Sequence, residues 1–137
     1  MHSRLFWICP ILLALTACGK GQDLPQQPQL IVDRDTIDFG QSLGFGVYVG
    51  TAPQESLQIH NGGSSDLVIT SATLSGDPAF TMNGPLSMRV TGLQNTFIQI
   101  IFAPSSARVF NTTLTIVSNA QNAPNKTIAI SGKGVAP

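Results

Sequence analysis

In the body of this chain the apolar residues come in short runs at every second position, not at the three-and-four spacing that gives a helix one apolar stripe. Leu57 and Ile59 alternate with Ser56, Gln58 and His60. Leu67 and Ile69 follow, then Ile98, Ile100 and Phe102, then Leu114 and Ile116, and last Ile128 and Ile130. A period of two places successive side chains on opposite faces of a strand, so these eleven residues are expected to share the inward faces of a folded sheet. Their neighbours are mostly Ser, Thr, Gln and Asn, as a sheet with one wet face requires.

Turn signals separate the runs: Asn61-Gly62-Gly63, Gly76-Asp77-Pro78, Asn83-Gly84-Pro85, Gly92, Ser118-Asn119 and Gly132. Leu30–Val32 and Thr36–Phe39 are expected as pieces of the first strand. Strong helix formers are scarce, Glu55 being the single glutamate. Many short strands with frequent turns predict an all-β, two-sheet antiparallel sandwich.

The amino terminus has a different character. Met1-His2-Ser3-Arg4 is followed by an apolar stretch, Leu5 to Ala17, broken only by Pro10 and Thr16. That is the length of a signal-peptide core and too short for the roughly 20 residues of a membrane span. Leu15-Thr16-Ala17-Cys18 resembles the lipobox of bacterial lipoproteins, in which the cysteine is lipidated and becomes the first mature residue. The resemblance implies that residues 1–17 are removed and that Cys18 carries acyl chains such as palmitate. Two or three chains make attachment permanent, where one gives only marginal binding. Glycine rather than aspartate after the cysteine favours, by analogy with enteric sorting, the outer membrane of the cell envelope; the periplasmic or outward face stays open. The alternatives are a cut after Gly19, giving a secreted domain, and an uncleaved anchor.

With that processing the folded domain keeps no cysteine, because Cys9 leaves with the signal and Cys18 is spent on lipid. Residues 18–29, with Pro25, Pro28 and four glutamines, read as a flexible linker holding the domain, 30–137, off the membrane.

Residues 30–134 resemble the immunoglobulin-like ASH domains, relatives of major sperm protein that in bacterial extracellular proteins are called choice-of-anchor D domains. The landmarks are Phe45-Gly46 with Gly50, Leu57–Gly63, Leu67 and Ile69, Phe80, Ile98 to Pro104, Leu114 to Asn119, and Ile128 to Gly134. The resemblance implies about seven strands and an interaction or spacer role, with no catalytic residues and no cofactor. Two Phe-Gly pairs, Phe39-Gly40 and Phe45-Gly46, stand where the family has one. An insertion of about six residues reconciles them and leaves the register of the first strands open.

Composition narrows the partners. Charged residues make up 10% of the chain and the net charge is zero, so the Lys/Arg contacts that nucleic acid demands are lacking. His60 is the one histidine of the mature chain, without a G-x-S-x-G motif, and reads as an exposed strand-end residue. Asp33, Asp35 and Asp38 form the sole carboxylate cluster; its spacing fails the calcium-loop pattern and it reads as a solvated loop. Met82 and Met88 read as core residues rather than ligands for a soft metal. The sequons Asn111-Thr112-Thr113 and Asn125-Lys126-Thr127 are expected to mark exposed turns. The expected partners are the bilayer, through Cys18, and an envelope protein captured by strand addition, with the terminal strand as the edge. The alternative is a carbohydrate- or small-ligand-binding module using loop residues such as Tyr48 and Phe80.

Overall fold

The first strand changes sheets, and that switch organises the molecule. In the computed structural model, which describes residues 23–40 and 44–137, β1 (Leu30–Val32) pairs antiparallel with β4 (Gln54–Asn61). Then β2 (Thr36–Phe39) crosses to the opposite sheet and runs parallel to β10 (Asn125–Val135). β3 (Val47–Tyr48) continues along the same side of β10. One sheet has the order β1-β4-β8-β6, with β8 Asn95–Phe102 and β6 Phe80–Asn83. The other has the order β2-β10-β9-β5-β7, with β9 Val109–Ser118, β5 Leu67–Gly76 and β7 Met88–Val90. The described residues are all-β, as the alternation predicts, in a two-sheet sandwich of ten strand segments. The expected seven become ten partly because the first strand is broken into β1, β2 and β3.

The aspartate cluster builds the corner of that switch. Asp33 donates its backbone N–H to the Gln58 carbonyl at 3.2 Å, and its Oδ1 accepts from the Gln58 N–H at 3.0 Å, ending the β1 ladder. Arg34 spans from Asp33 Oδ2 at 3.0 Å to Glu55 at 3.4 Å. The Asp35 carbonyl accepts from the Ala129 N–H at 3.1 Å, opening the β2 ladder, and its carboxylate pairs with Lys126 at 2.6 Å.

The register between β2, β3 and β10 resolves the doubled Phe-Gly pair. Phe39 lies opposite Gly132 and Val47 opposite Gly134. The edge advances eight residues while β10 advances two, so the edge carries six residues more than the strand it follows. The excursion is pinched at its base: a Cβ on Gly40, whose φ is +82°, would lie 2.8 Å from the Phe45 carbonyl oxygen.

All eleven alternating residues are buried between the sheets. Each such side chain contributes roughly 1.5–3 kcal/mol of transfer free energy, most of it offset by chain entropy. At the centre Phe80 stacks on Phe102 with centroids 4.7 Å apart, Phe39 tilts against Phe102 at 5.4 Å, and Phe110 meets it edge-on at 5.5 Å. Gly132 is glycine because a Cβ there would lie 2.6 Å from the Phe102 ring. Met82 and Met88 pack partly buried against this core.

Candidate functional site

Leu15, Thr16, Ala17 and Cys18, the residues of the predicted lipidation site, lie outside the described residues. What the structure does place is the root of the segment that follows. The stretch expected to be linker is bonded to the domain from Pro25 onward. The Pro25 and Gln26 carbonyls accept from the Ser64 and Ser65 N–H groups at 2.9 and 3.2 Å, and the Gln29 carbonyl accepts from Gly62 at 3.0 Å. On the other side the Gln121 N–H donates to the Pro28 carbonyl at 3.1 Å.

Asn61 is the hub of this root, fully buried at the end of β4. Its Oδ1 accepts from the N–H groups of Gln29 at 3.2 Å and Gly63 at 3.1 Å. Its Nδ2 donates to the carbonyls of Ser65 at 2.8 Å and Val90 at 3.1 Å. Both donors and both acceptor positions of the amide are in use. Asn122 works the same way on β1, accepting from the Leu30 N–H and donating to the Leu30 carbonyl, each at 2.9 Å. Sequence reasoning read Asn61-Gly62-Gly63 as turn chemistry; a buried asparagine ending an alternating run was the available sign that more was held there.

A shallow pocket of about 340 Å³ opens where β1, β4 and β8 meet on the outer face of their sheet, lined by Ile31, Val32, Asp33, Gln58, His60 and Asn95. His60 lies opposite Asn95, and its Nδ1 is 2.6 Å from the Asn95 Oδ1. An amide oxygen only accepts, so Nδ1 is the donor of this contact. The single carboxylate of the lining, Asp33, is tied to Gln58 and Arg34. The other polar groups of the lining are the amides of Gln58 and Asn95 and the His60 ring. Phe97, opposite Gln58, extends this face with a ring that is 58% exposed.

The two aromatic residues expected to serve a ligand part company. Tyr48 is exposed on the β3 edge, whereas Phe80 is in the core, on the inward side of β6. Its place after Gly76-Asp77-Pro78 read as loop, but its pairing with Phe102 across β6 and β8 draws it inside. Asp33, Asp35 and Asp38 do not converge; among the described residues no three His, Cys, Asp or Glu side chains are grouped to hold a metal ion. The sequons sit in strands, not turns. Asn111 lies within β9 and Asn125 opens β10, and Thr112 of the first sequon points into the core, where its hydroxyl has no hydrogen-bond partner among the described residues.

At the end of the sandwich away from Asn61, Arg108 binds Asp77 Oδ1 at 2.8 Å while the Asn111 N–H donates to Oδ2 at 3.0 Å. The Arg108 hydrogen bond, then that of Asn111, holds the Asp77 carboxyl below its ordinary pKa. The same guanidinium lies 3.8 Å from the centre of the Phe110 ring.

The edges differ from the expectation. β10, the terminal strand, is flanked by β9 on one side and, from Ala129 onward, by β2 and β3 on the other, so only Asn125–Ile128 keep an open outer side. The outermost strands are β1, β6, β2 and β7, and a longer open stretch lies on β5. There β7 covers only Leu67–Ile69, a register shift follows between Ile69 and Ser71, and Ser71–Gly76 pairs with β9 alone.

Comparison with solved structures returns the same architecture. The ASH/PapD-like domain of human CEP192 (PapD-like domain 7) superposes with a TM-score of 0.64 at 15% identity, covering 91% of this chain and 98% of that one. A protein of unknown function from Porphyromonas gingivalis W83 gives 0.64 at 18% identity over 82% of this chain and 50% of that one. The E. coli chaperone DraB gives 0.57 at 10% identity, over 78% and 56%. The chain thus spans about half the length of the latter two. Comparison with curated proteins gives no match. Residues 28–133 match the HYDIN/CFA65/VesB-like, Ig-like domain family, and with the match reaching over most of its length the chain belongs to that family.

Proposed function

We propose that this is an envelope lipoprotein, anchored through acylated Cys18, that displays its Ig-like domain as an interaction or spacer module for another envelope protein. Capture is by strand addition at the outer edge of β5. The observation that carries this is the mismatch between β5 and β7: ten residues of strand, three of them covered. The uncovered Ser71-Ala72-Thr73-Leu74-Ser75 contains neither a charge nor a proline, the usual guards of an edge. An extended partner segment gains ladder hydrogen bonds there that water otherwise supplies.

The test is in-cell crosslinking followed by mass spectrometry. Thr73→Lys is expected to abolish the crosslinked partner, while Ala129→Lys, at a rung of β10 flanked by both β9 and β2, leaves it. Equal capture by both variants rejects edge pairing. Separately, palmitate labelling must disappear in Cys18→Ala; a wild type that takes no label rejects the anchor.

The pocket beside His60 supports a second reading, binding of a small ligand such as a sugar unit, by virtue of its amide and imidazole lining. Saturable glycan binding by the purified domain, lost in Gln58→Ala, supports it over scaffolding.

A further inference from the structure

We infer that the end of the sandwich bearing Leu24 and Leu93 faces a bilayer and rests on its headgroup layer, with Leu93 reaching in. This rests on the proposal that Cys18 is lipidated, and adds to it an orientation and a contact.

Chain length gives the first reason. Pro25 is fastened to Ser64, so seven residue steps separate the domain from Cys18. Even at full extension these span about 25 Å at ~3.5 Å each. β10 alone, with eleven residues, is ~36 Å long at ~3.3 Å per residue. The tether is shorter than the sandwich, so the domain cannot turn over and present its far end to the membrane.

The second reason is what lies at the tethered end. Leu24 and Leu93 flank one turn: Pro25 is bonded to Ser64, and the Leu93 N–H donates to the Gly63 carbonyl at 3.1 Å. Both leucines are exposed, at 53% and 44%. The charged pair nearby, Asp66 with Arg89, is mutually satisfied at 3.0 Å. The far end carries a pair of its own, Asp77 with Arg108 at 2.8 Å, and in addition Lys133. Besides Asp66 and Arg89 the described tethered end carries Asp23, next to Leu24; the Asp23 side chain stays hydrated in the headgroup layer while the leucines reach past it.

Leu93 supplies the third. The Gln94 N–H bonds the Thr91 carbonyl at 3.1 Å, closing a tight turn in which Leu93 has φ 63°, the left-handed region. Among the described residues it is the one non-glycine with a positive φ. A glycine or asparagine would close this turn without strain. The glycine of the turn is committed elsewhere: a Cβ on Gly92 would sit 2.2 Å from the Ser64 carbonyl oxygen. A strained, water-exposed leucine contributes nothing to folding that asparagine would not, which points to a contact outside the domain.

The experiment uses the full lipidated protein in phosphatidylethanolamine–phosphatidylglycerol vesicles. After lipidation an introduced cysteine is the free thiol of the mature chain. An environment-sensitive fluorophore is attached at Leu93→Cys, at Ser65→Cys as a second site on the same end, and at Ser106→Cys on the far end. Nitroxide-bearing lipids are expected to quench the first two several-fold more strongly than the third. Vesicle-bound, palmitate-labelled protein with equal quenching at all three sites overturns the orientation and leaves the anchor standing. Shielding at Leu93→Cys and Ser65→Cys without lipid quenching, which would mark a protein cover, overturns it as well. Absence of palmitate overturns the anchor and the orientation with it.

Discussion

Gly63 lies so close to Gln27 that a Cβ on the glycine would sit 1.9 Å from the Gln27 carbonyl oxygen. Since the obstacle is backbone, Gly63→Ala has to displace the incoming segment. Amide hydrogen exchange at Ser64 and Ser65, whose N–H groups are held by Pro25 and Gln26, is expected to accelerate, with a loss of about 1–3 kcal/mol in a urea melt.

Asn61→Ala removes one buried amide and strands two N–H groups and two carbonyls around it, at a cost of about 2–4 kcal/mol in global stability. Asn61→Asp keeps the shape but sets a carboxylate oxygen against the Ser65 and Val90 carbonyls. It is expected to be no more stable than the alanine variant at neutral pH and to recover partly in acid, where protonation restores a donor. Denaturant melts at two pH values read the difference.

Thr112→Val exchanges a buried hydroxyl without a partner for a methyl of the same shape. The variant is expected to match the wild type or exceed it by about 1 kcal/mol. A loss of more than that in thermal unfolding would mean the hydroxyl is engaged.

Leu93→Asn relieves a left-handed leucine on the surface. Asparagine tolerates this region, so stability is expected to rise by about 1 kcal/mol, seen as a higher Tm.

The Asp77 carboxyl is held below its ordinary pKa of 3.8 by Arg108 and the Asn111 N–H, so the folded state favours its charged form. The stabilisation is fully present above that ordinary value and disappears as the pH falls through the lower folded value. The advantage of the wild type over Asp77→Asn is therefore expected to be constant at neutral pH and to shrink only in strong acid, as followed by paired urea melts.

Much of the fold is legible because burial here follows strict alternation: Ile98, Ile100 and Phe102 each face inward where a period of two puts them. The six-residue insertion is legible too, from the doubled Phe-Gly pair. Long-range pairing is less so. Nothing local in Asn125–Val135 says that β2 and β3 close its outer side, so a terminal strand reads as an edge. Nor does anything around Asn61 and Val90, 29 residues apart, disclose that one amide ties them, because hydrogen bonds across loops leave no period in the chain. Phe80 was misplaced for the same cause: its burial comes from Phe102, twenty-two residues on. Residue types do supply the pocket's amides and imidazole, but His60, Gln58 and Asn95 meet only through cross-strand register.

The excursion from Gly40 to Gly46 leaves and rejoins neighbouring rungs of a single ladder. Such a place accepts lengthening, shortening or replacement without moving any strand past another. A foreign peptide grafted between those two rungs is accordingly expected to be displayed while the sandwich beneath stays the same.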